Sequence, residues 1–222
     1  MLLVSAVAFT DRLKQHLNVI EAAKEAGVRH IIFTSIQRKA VASLVISMVT
    51  ESDIATEEAL KASGLDYTIL HNALYLDALS MIIGDRTLED GVRVPGGTGS
   101  GAMVARRDLA DANANILAGT GHENRSYTLG GSRSFSFADI AKALGDIAGK
   151  RVEYIDTPVD EFVAAKVALG FPPAAAGFLA EWAQAIAVGE YAEVTGDLER
   201  LIGRKPVDYL DFLAREIGAV PA

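Results

Sequence analysis

The chain has 222 residues, half of them hydrophobic, which is enough for one large or two small domains with a sizeable core. A formal net charge of −8 and no Lys/Arg run argue against a nucleic-acid partner, because such binding needs a basic surface. The absence of cysteine excludes disulfides, thiol catalysis and thiolate metal sites.

The first third alternates short apolar runs with amphipathic stretches. The apolar runs predict buried strands at Leu2–Val7, Val28–Phe33 and Asp66–Leu70. Apolar strands that alternate with helices are typical of βαβ units. We therefore expect these three strands to lie parallel in one sheet.

Two helices are predicted between these strands. The first has an apolar line and ends at Gly27, and the second begins at Ser52 or Asp53 and runs to Ser63. The apolar line of the first helix consists of Leu13, Leu17, Ile20 and Ala23.

The middle of the chain is rich in glycine. Val92–Pro95 and Ala102–Ala105 flank Gly96–Gly101, which predicts a hairpin or paired short strands. The glycines do not complete G-x-G-x-x-G and do not join a buried strand to a helix, so a flexible turn is favoured over a phosphate-binding loop.

The last part of the chain is predicted to form a smaller lobe. The boundary of this lobe is expected near residue 120, with residues 91–106 packed against it. Ser136 and Asp139 resemble a capping box at the start of a helix. The remaining predicted elements are helices at Asp108–Leu117, Asp160–Leu169, Ala174–Ile186 and Val207–Ile217, and strands at Ser126–Leu129 and Arg151–Asp156.

No metal site and no membrane segment are expected. The four histidines are scattered, and none forms a ligand pair at helical spacing. The apolar run that begins at Met1 lacks a basic flank and is short for a membrane span. A cytoplasmic location is the default expectation.

Polar residues cluster where the predicted strands end. Thr34 and Ser35 follow one strand, and Ser5 occupies a comparable place in another. Ligands of open parallel sheets bind outside the carboxyl ends of the strands, so these hydroxyls could bind a ribose or a nicotinamide. Capping of the next turn explains them equally well. The third strand is followed by His71, Asn72 and Tyr75, a cluster that favours a site at the same edge.

Two familiar catalytic arrangements are missing. No tyrosine is followed four residues later by lysine, so the Tyr–Lys pair of classical short-chain dehydrogenases is absent. No G-x-S-x-G occurs, which argues against an α/β hydrolase. Glu57 and Glu58 are expected to be solvated on a polar helix face, and Asp108 is expected to stabilise a helix N-terminus.

Four passages of the chain carry a family resemblance: Asn18–Ser35, Thr56–Leu70, Arg107–Asn113 and Leu198–Pro206. In this order they resemble passages of NmrA-like atypical short-chain dehydrogenases, and most of all those of the type 2 NAD(P)H:quinone oxidoreductase branch. The resemblance covers nearly the whole chain.

Three features depart from that family. The family begins with a strand and a G-x-x-G-x-x-G loop, whereas Met1 falls at what resembles its fourth strand. His71 stands where the branch usually has arginine, and Gln37–Thr50 is unusually apolar. The resemblance thus implies an N-terminally truncated, Rossmann-like, doubly wound parallel sheet with a smaller C-terminal α/β lobe. In these terms, residues 1–120 are expected to form an incomplete NAD(P)-binding domain and residues 121–222 a substrate-side α/β lobe, packed with 91–106.

The resemblance also implies an activity, namely hydride transfer from NADPH or NADH to a quinone or a similar electrophile. Tyr75 is expected to face the substrate as the catalytic residue. Cofactor binding is expected to be weak or absent without the glycine loop, since each lost charge-assisted hydrogen bond costs about 1.5–3 kcal/mol. The residues expected to line the nicotinamide–ribose end are Ser5, Ala6, Thr34, Ser35, Asn72 and Ala73.

Two other functions remain open. Some NmrA-like proteins are thought to sense NAD(P) without turnover and to bind a regulatory protein, and a degenerate interaction module is the third possibility. Separately from function, the absence of the family's preceding βα units is expected to leave Leu2–Val7 as an apolar sheet edge through which the chain associates with itself.

Overall fold

The computed structural model describes residues 1–5, 10–39, 44–47 and 49–218, with side chains described up to residue 215. The strands are β1 (Leu2–Leu3), β2 (His30–Ile36), β3 (Asp66–Asn72), β4 (Val92–Val94), β5 (Arg125–Leu129) and β6 (Tyr154–Asp156). The helices are α1 (Arg12–Glu25), α2 (Thr50–Ala62), α3 (Leu79–Ile83), α4 (Thr87–Asp90), α5 (Arg106–Ala118), α6 (Phe137–Ala148), α7 (Val159–Ala168), α8 (Pro173–Ala187), α9 (Asp197–Ile202) and α10 (Tyr209–Gly218).

Strands β1, β2, β3 and β5 form one parallel sheet in the order β1-β2-β3-β5. The predicted parallel arrangement of the first three strands is confirmed. Both β2 and β3 run further than predicted, because each is paired on two sides and its ladder continues through polar residues. Thr34 and Ser35 therefore lie inside β2 rather than after it, and His71 and Asn72 lie inside β3.

Helices cover both faces of this sheet, which confirms the α/β, doubly wound character of the fold. Helices α1 and α2 pack on one face around a core that contains Ile31 and Phe33. The other face carries Ile32 and Ile36 and packs into a larger core that includes α5. Consecutive residues of β2 thus face opposite sides, as the strand period requires.

The buried face of α1 differs from the predicted apolar line. Leu17 is 40% exposed, whereas Arg12 and His16 are buried beside Ile20 and Ala23. Asp53 and Thr56 of α2 form hydrogen bonds with Arg12 and with Nδ1 of His16, so burial follows partners that lie far away in sequence.

The predicted hairpin around the glycine-rich turn is wrong. Strand β4 pairs in parallel with β6, and Gly101 instead bridges to Phe135. The turn is also tightly packed. A methyl group on Gly99 would collide with the carbonyl oxygens of Ile186 and Ala187, so this close approach needs glycine.

The C-terminal part contains the predicted capping box. Ser136 Oγ accepts a hydrogen bond from the Asp139 amide, and the Asp139 carboxylate accepts one from the Ser136 amide. The division near residue 120 stays a prediction, and β5, which follows it, pairs with β3. None of the described helices is both long and apolar enough to cross a membrane.

Two of the four family-like passages meet through a buried carboxylate. Asp108, in the first turn of α5, is fully buried and accepts a hydrogen bond from the Val207 amide at 2.7 Å. Arg204 Nη2 lies 2.7 Å from the other oxygen of the same carboxylate. Asp108 therefore connects α5 to the segment that leads into α10.

Candidate active site

The carboxyl ends of the parallel strands converge on one edge of the main sheet. Ser5 follows β1, Gln37 and Arg38 follow β2, and Asn72 ends β3. Open parallel sheets bind their ligands at this edge, so it is the candidate site on topology alone.

Ser5 and Thr34 connect the ends of β1 and β2. The Ser5 amide donates to Thr34 Oγ1 at 2.8 Å, and the Thr34 hydroxyl donates to Ser5 Oγ at 3.2 Å. The two predicted residues therefore lie together and partly satisfy one another. Ala6, predicted beside them, lies outside the described residues.

Asn72, Ala73 and Tyr75 form a second group on the same face of the sheet as Thr34. Asn72 is nearly buried, its Nδ2 lies 3.5 Å from the Tyr75 hydroxyl, and its Oδ1 has no hydrogen-bond partner among the described residues. The Ala73 amide donates to the Leu129 carbonyl, and the Tyr75 ring lies under the Arg106 guanidinium. An unsatisfied buried amide oxygen is uncommon and needs an explanation.

Ser35 is not brought together with Thr34. Its side chain lies on the α2 face, where its hydroxyl donates to Glu57 Oε1 at 2.5 Å. The structure therefore separates the predicted cofactor residues between the two faces of β2.

Glu57 is the centre of a charged cluster on the α2 face, which we call the Glu57 cluster: Glu57, Ser35, Arg38, His71 and Lys61. The expectation that Glu57 is solvated is wrong, since only 3% of the residue is exposed. Arg38 donates to both carboxylate oxygens, at 2.8 and 3.0 Å, and His71 Nε2 lies 3.2 Å from Oε1. Lys61 Nζ is 4.0 Å from Oε2.

The electrostatics of the cluster favour an ionised Glu57. Burial alone would raise the pKa of this carboxyl, but hydrogen bonds from His71, Arg38 and Ser35 outweigh it and hold the pKa well below its usual range. The same carboxylate raises the pKa of the Arg38 guanidinium. The cluster thus keeps a buried negative charge at neutral pH.

An open cleft of about 250 Å³ lies beside this cluster and is lined by Gln37, Arg38, Lys39, His71 and Thr128. Gln37 is buried and donates to the Glu193 carbonyl, while its Oε1 has no partner among the described residues. The cleft therefore offers cationic groups and an imidazole, and the unpartnered oxygen of Gln37 is buried at its wall. No group of three side chains suited to hold a metal ion occurs in the described part of the chain.

A second group of buried polar side chains lies between α1 and α2. Arg12 Nη1 lies 2.5 Å from Asp53 Oδ1, and His16 Nδ1 lies 2.9 Å from Thr56 Oγ1. Burial raises the pKa of Asp53 to about 6 despite the neighbouring guanidinium. Burial, assisted by Arg12, lowers the pKa of His16 to about 4.

Sequence reasoning missed the roles of Glu57, Arg38, Gln37 and Thr128. One signal was available in the strands. Ser35 and His71 each come two residues after a buried apolar residue of the same face, Phe33 and Ile69, and polar side chains at such positions need partners.

Comparisons with known proteins agree with this topology. The NAD(P)H-binding family profile matches residues 2–120. Quinone oxidoreductase 2 of Escherichia coli K12 is 33% identical over 204 residues, covering 91% of this chain and 70% of that protein. An NmrA-like family domain-containing oxidoreductase of Aspergillus flavus is 27% identical over 197 residues, covering 87% and 64%. The chain belongs to the NAD(P)H-binding family, among its NmrA-like oxidoreductases.

Solved structures place this NmrA-like chain in the same fold. The Escherichia coli NADPH-dependent quinone oxidoreductase in complex with NADPH superposes with a TM-score of 0.88 at 29% identity, covering 97% of this chain and 75% of that one. Triphenylmethane reductase from Citrobacter sp. gives a TM-score of 0.86 at 29% identity, covering 97% and 74%. The family resemblance inferred from the four passages is confirmed.

Proposed function

We propose that this chain carries out hydride transfer from NAD(P)H to a quinone or a similar conjugated electrophile. The observation that carries the proposal is the unpartnered Oδ1 of Asn72 at the carboxyl edge of the sheet, in a chain of this family. Two of the proteins named above are a quinone oxidoreductase and a triphenylmethane reductase by name. Such acceptors are electrophilic enough to take a hydride without a Tyr–Lys pair, which this chain lacks.

The residues on the Thr34 face fit the nicotinamide end of the cofactor. A carboxamide N–H₂ group would satisfy Asn72 Oδ1, and the hydroxyls of Ser5 and Thr34 retain accepting capacity toward a ribose. When bound, NAD(P)H supplies the hydride, while the protein orients the two reactants and excludes water. We keep Ala73 in this group and propose that Ser35 acts through Glu57 instead, because its hydroxyl is committed there.

Quinone-dependent oxidation of NAD(P)H, followed by nucleotide absorbance, tests this function. We expect turnover that depends on chain, quinone and nucleotide together. Dinucleotide binding without any turnover would contradict the proposal and favour the sensor function.

We further propose that cofactor affinity is low. The sequence contains no G-x-x-G-x-x-G, and backbone amides of such a loop normally hold the diphosphate at a helix N-terminus. Titration with NADPH, followed by nucleotide fluorescence, should give a Kd well above about 1 μM, which corresponds to about −8.2 kcal/mol. A Kd near that value would show that these contacts are dispensable.

Self-association through β1 is a separate proposal. Among the described residues, β1 pairs on one side only, and Val4 beyond it is 63% exposed. Light scattering over a concentration series should show association that Val4→Lys abolishes, because a charge protects a sheet edge. A clean monomer at high concentration would contradict the proposal.

A further inference from the structure

Arg106 places a positive charge beside the residues proposed to bind the nicotinamide. Its guanidinium carbon lies 5.1 Å from the centre of the Tyr75 ring, and the Tyr75 hydroxyl lies 3.5 Å from Asn72 Nδ2. A backbone bridge between Tyr75 and Val104, two residues before Arg106, brings the two side chains together. Arg106 therefore reaches the group of residues that contains the unpartnered Asn72 oxygen.

The Arg106 guanidinium has no polar partner in the described part of the chain. Its backbone amide donates to Asp77 Oδ2 at 2.8 Å, whereas its side chain contacts the Tyr75 ring. The neighbouring Arg107 differs, because its Nε lies 3.9 Å from the buried carboxylate of Asp108. Arg106 is also exposed, so its charge is available to a bound molecule.

The position of Arg106 in its helix is unfavourable for a cation. Arg106 and Arg107 occupy the first turn of α5, where the helix dipole already contributes partial positive charge and acidic side chains are the stabilising ones. The N-cap residue, Ala105, provides no side-chain hydrogen bond. Positive charge is therefore concentrated beside Tyr75, in a chain whose formal net charge is −8.

We infer that Arg106 determines which acceptors the site reduces, because its charge favours those that become anionic when they accept a hydride. This inference rests on the proposed hydride transfer, with Tyr75 facing the acceptor. It deepens that proposal by naming the charge class of the acceptor, a neutral quinone or a similar conjugated carbonyl compound rather than a cation.

The charge change of a quinone fits this role. The quinone accepts a hydride from NAD(P)H: a C–H bond of the nicotinamide breaks, its electron pair moves with the hydrogen to the quinone, and the nicotinamide is oxidised. The product is a hydroquinone monoanion with its negative charge on oxygen, and it takes up a proton from water. A guanidinium near that oxygen stabilises the charge while it develops.

A triarylmethane cation undergoes the opposite change. Its central carbon accepts the hydride and the molecule becomes neutral, so a nearby guanidinium repels the reactant and does not stabilise the product. The two classes of acceptor thus separate the charge of Arg106 from its packing on Tyr75. A role in packing alone would affect both acceptors equally.

The first experiment compares kcat/KM for a neutral quinone with kcat/KM for a triarylmethane dye. Loss of an oxyanion donor from a closed site costs about 100- to 1000-fold, and water around the exposed Arg106 weakens its effect. We therefore expect Arg106→Gln to lower the quinone-to-dye ratio roughly tenfold, the range left after this screening. An unchanged ratio would overturn the inference.

Two further variants serve as controls. Arg107→Gln removes the same charge one residue away and should leave the quinone-to-dye ratio unchanged. Arg106→Lys keeps the charge without the planar guanidinium, and should retain most of the ratio. A ratio in Arg106→Lys as low as in Arg106→Gln would show that charge is not the cause, and the inference would fail.

The stability of Arg106→Gln shows whether the site is preserved. Because a cation in the first turn of a helix is unfavourable, the urea midpoint of this variant should equal or exceed that of wild type. A clearly lower midpoint would assign Arg106 a structural role and contradict the inference.

A binding measurement needs no turnover and separates this inference from the proposed function. 4-Nitrophenolate mimics the anionic product, and 4-nitroaniline is a neutral molecule of nearly the same shape. In calorimetric titrations wild type should bind the phenolate more tightly, and Arg106→Gln should lose this preference. Wild type without the preference would reject the role of Arg106, whereas the preference without quinone turnover would reject the proposed hydride transfer alone.

Discussion

The two faces of β2 at the carboxyl edge differ in charge, although adjacent residues build them. On the Thr34 face, which we call the neutral face, Ser5, Thr34 and Asn72 carry no charge, and the Arg106 guanidinium over Tyr75 is exposed. The notable atom of this face is the unpartnered amide oxygen of Asn72. The Ser35 face carries a buried carboxylate held by Arg38 and His71. Variants on the two faces should therefore fail in different measurements.

The largest effect is expected at Glu57. Glu57→Gln leaves Arg38 and His71 without their counter-ion, which should cost about 3 kcal/mol of unfolding free energy. We take the low end of the range for a broken buried pair, because each of these side chains is 22% exposed and can regain water. Urea unfolding at neutral pH gives the value, and the exposed neighbour Glu58→Gln should change it by less than about 0.5 kcal/mol.

The pH dependence of the same variant has a defined sign. The pKa of Glu57 is lowered by folding, so its stabilising contribution is present above the usual 4.5 and is lost as the pH falls below it. The difference between wild type and Glu57→Gln should shrink on acidification. A difference that grows instead would contradict the assigned charge state.

The second-largest change in stability is expected at His16, which lies on the same face of the sheet as Glu57 but away from the cleft. Folding lowers the pKa of His16 from 6.5 to about 4, so stability is full above 6.5 and is lost as the pH falls toward 4, by up to about 3 kcal/mol. His16→Gln can still donate to Thr56 and should lack this acid-dependent loss. Asp53 contributes to the pH dependence of stability with the opposite sign, and this contribution cancels when wild type and His16→Gln are compared by urea unfolding. If the unfolding free energies of the two proteins changed in parallel with pH, the prediction would be wrong.

The third effect is on the neutral face. Asn72→Leu removes a buried oxygen that has no partner, so unfolding free energy should change by less than about 1 kcal/mol. NADPH binding should weaken roughly tenfold, which corresponds to about 1.4 kcal/mol. Glu57→Gln serves as the control on the other face and should leave the Kd for NADPH unchanged. A large loss of stability in Asn72→Leu would show that the Asn72 oxygen has a structural partner.

The smallest effect is expected for Tyr75→Phe. The hydroxyl has one long contact, 3.5 Å from Asn72 Nδ2, so stability should change by less than about 1 kcal/mol. If the hydroxyl only orients the quinone, KM rises and kcat is kept. A fall in kcat with an unchanged KM would contradict this orienting role and show that the hydroxyl takes part in the chemical step.

The parallel sheet was predictable because the apolar strands and glycine-ended helices are local patterns. The ends of the strands were not predictable, because Ser35 and His71 look in the sequence like polar residues that follow a strand. Their partner Glu57 lies on another element and is adjacent in sequence to the exposed Glu58. The local pattern does not show which of two neighbouring glutamates turns inward, because this depends on hydrogen-bond partners in β2, after β2 and in β3.

The prediction for the smaller sheet was wrong for a related reason. A glycine-rich turn between Val92–Pro95 and Ala102–Ala105 favours a hairpin locally, but β4 finds its partner in β6, across α5 and α6. The location of Asn72 and Tyr75 at the edge of the sheet could likewise be predicted from topology. The cleft could not be predicted, because its lining residues follow or belong to three different strands.

The strict alternation along β2 has a consequence for how such proteins can diverge. Loss or gain of a single residue between His30 and Ser35 would place the Ser35 hydroxyl on the neutral face and remove one of the hydrogen-bond donors to Glu57. Only exchange of side chains, or insertions and deletions in pairs, would keep each group on its own side. Length polymorphism among homologues should therefore be absent from this strand and concentrate after it, beyond Gln37.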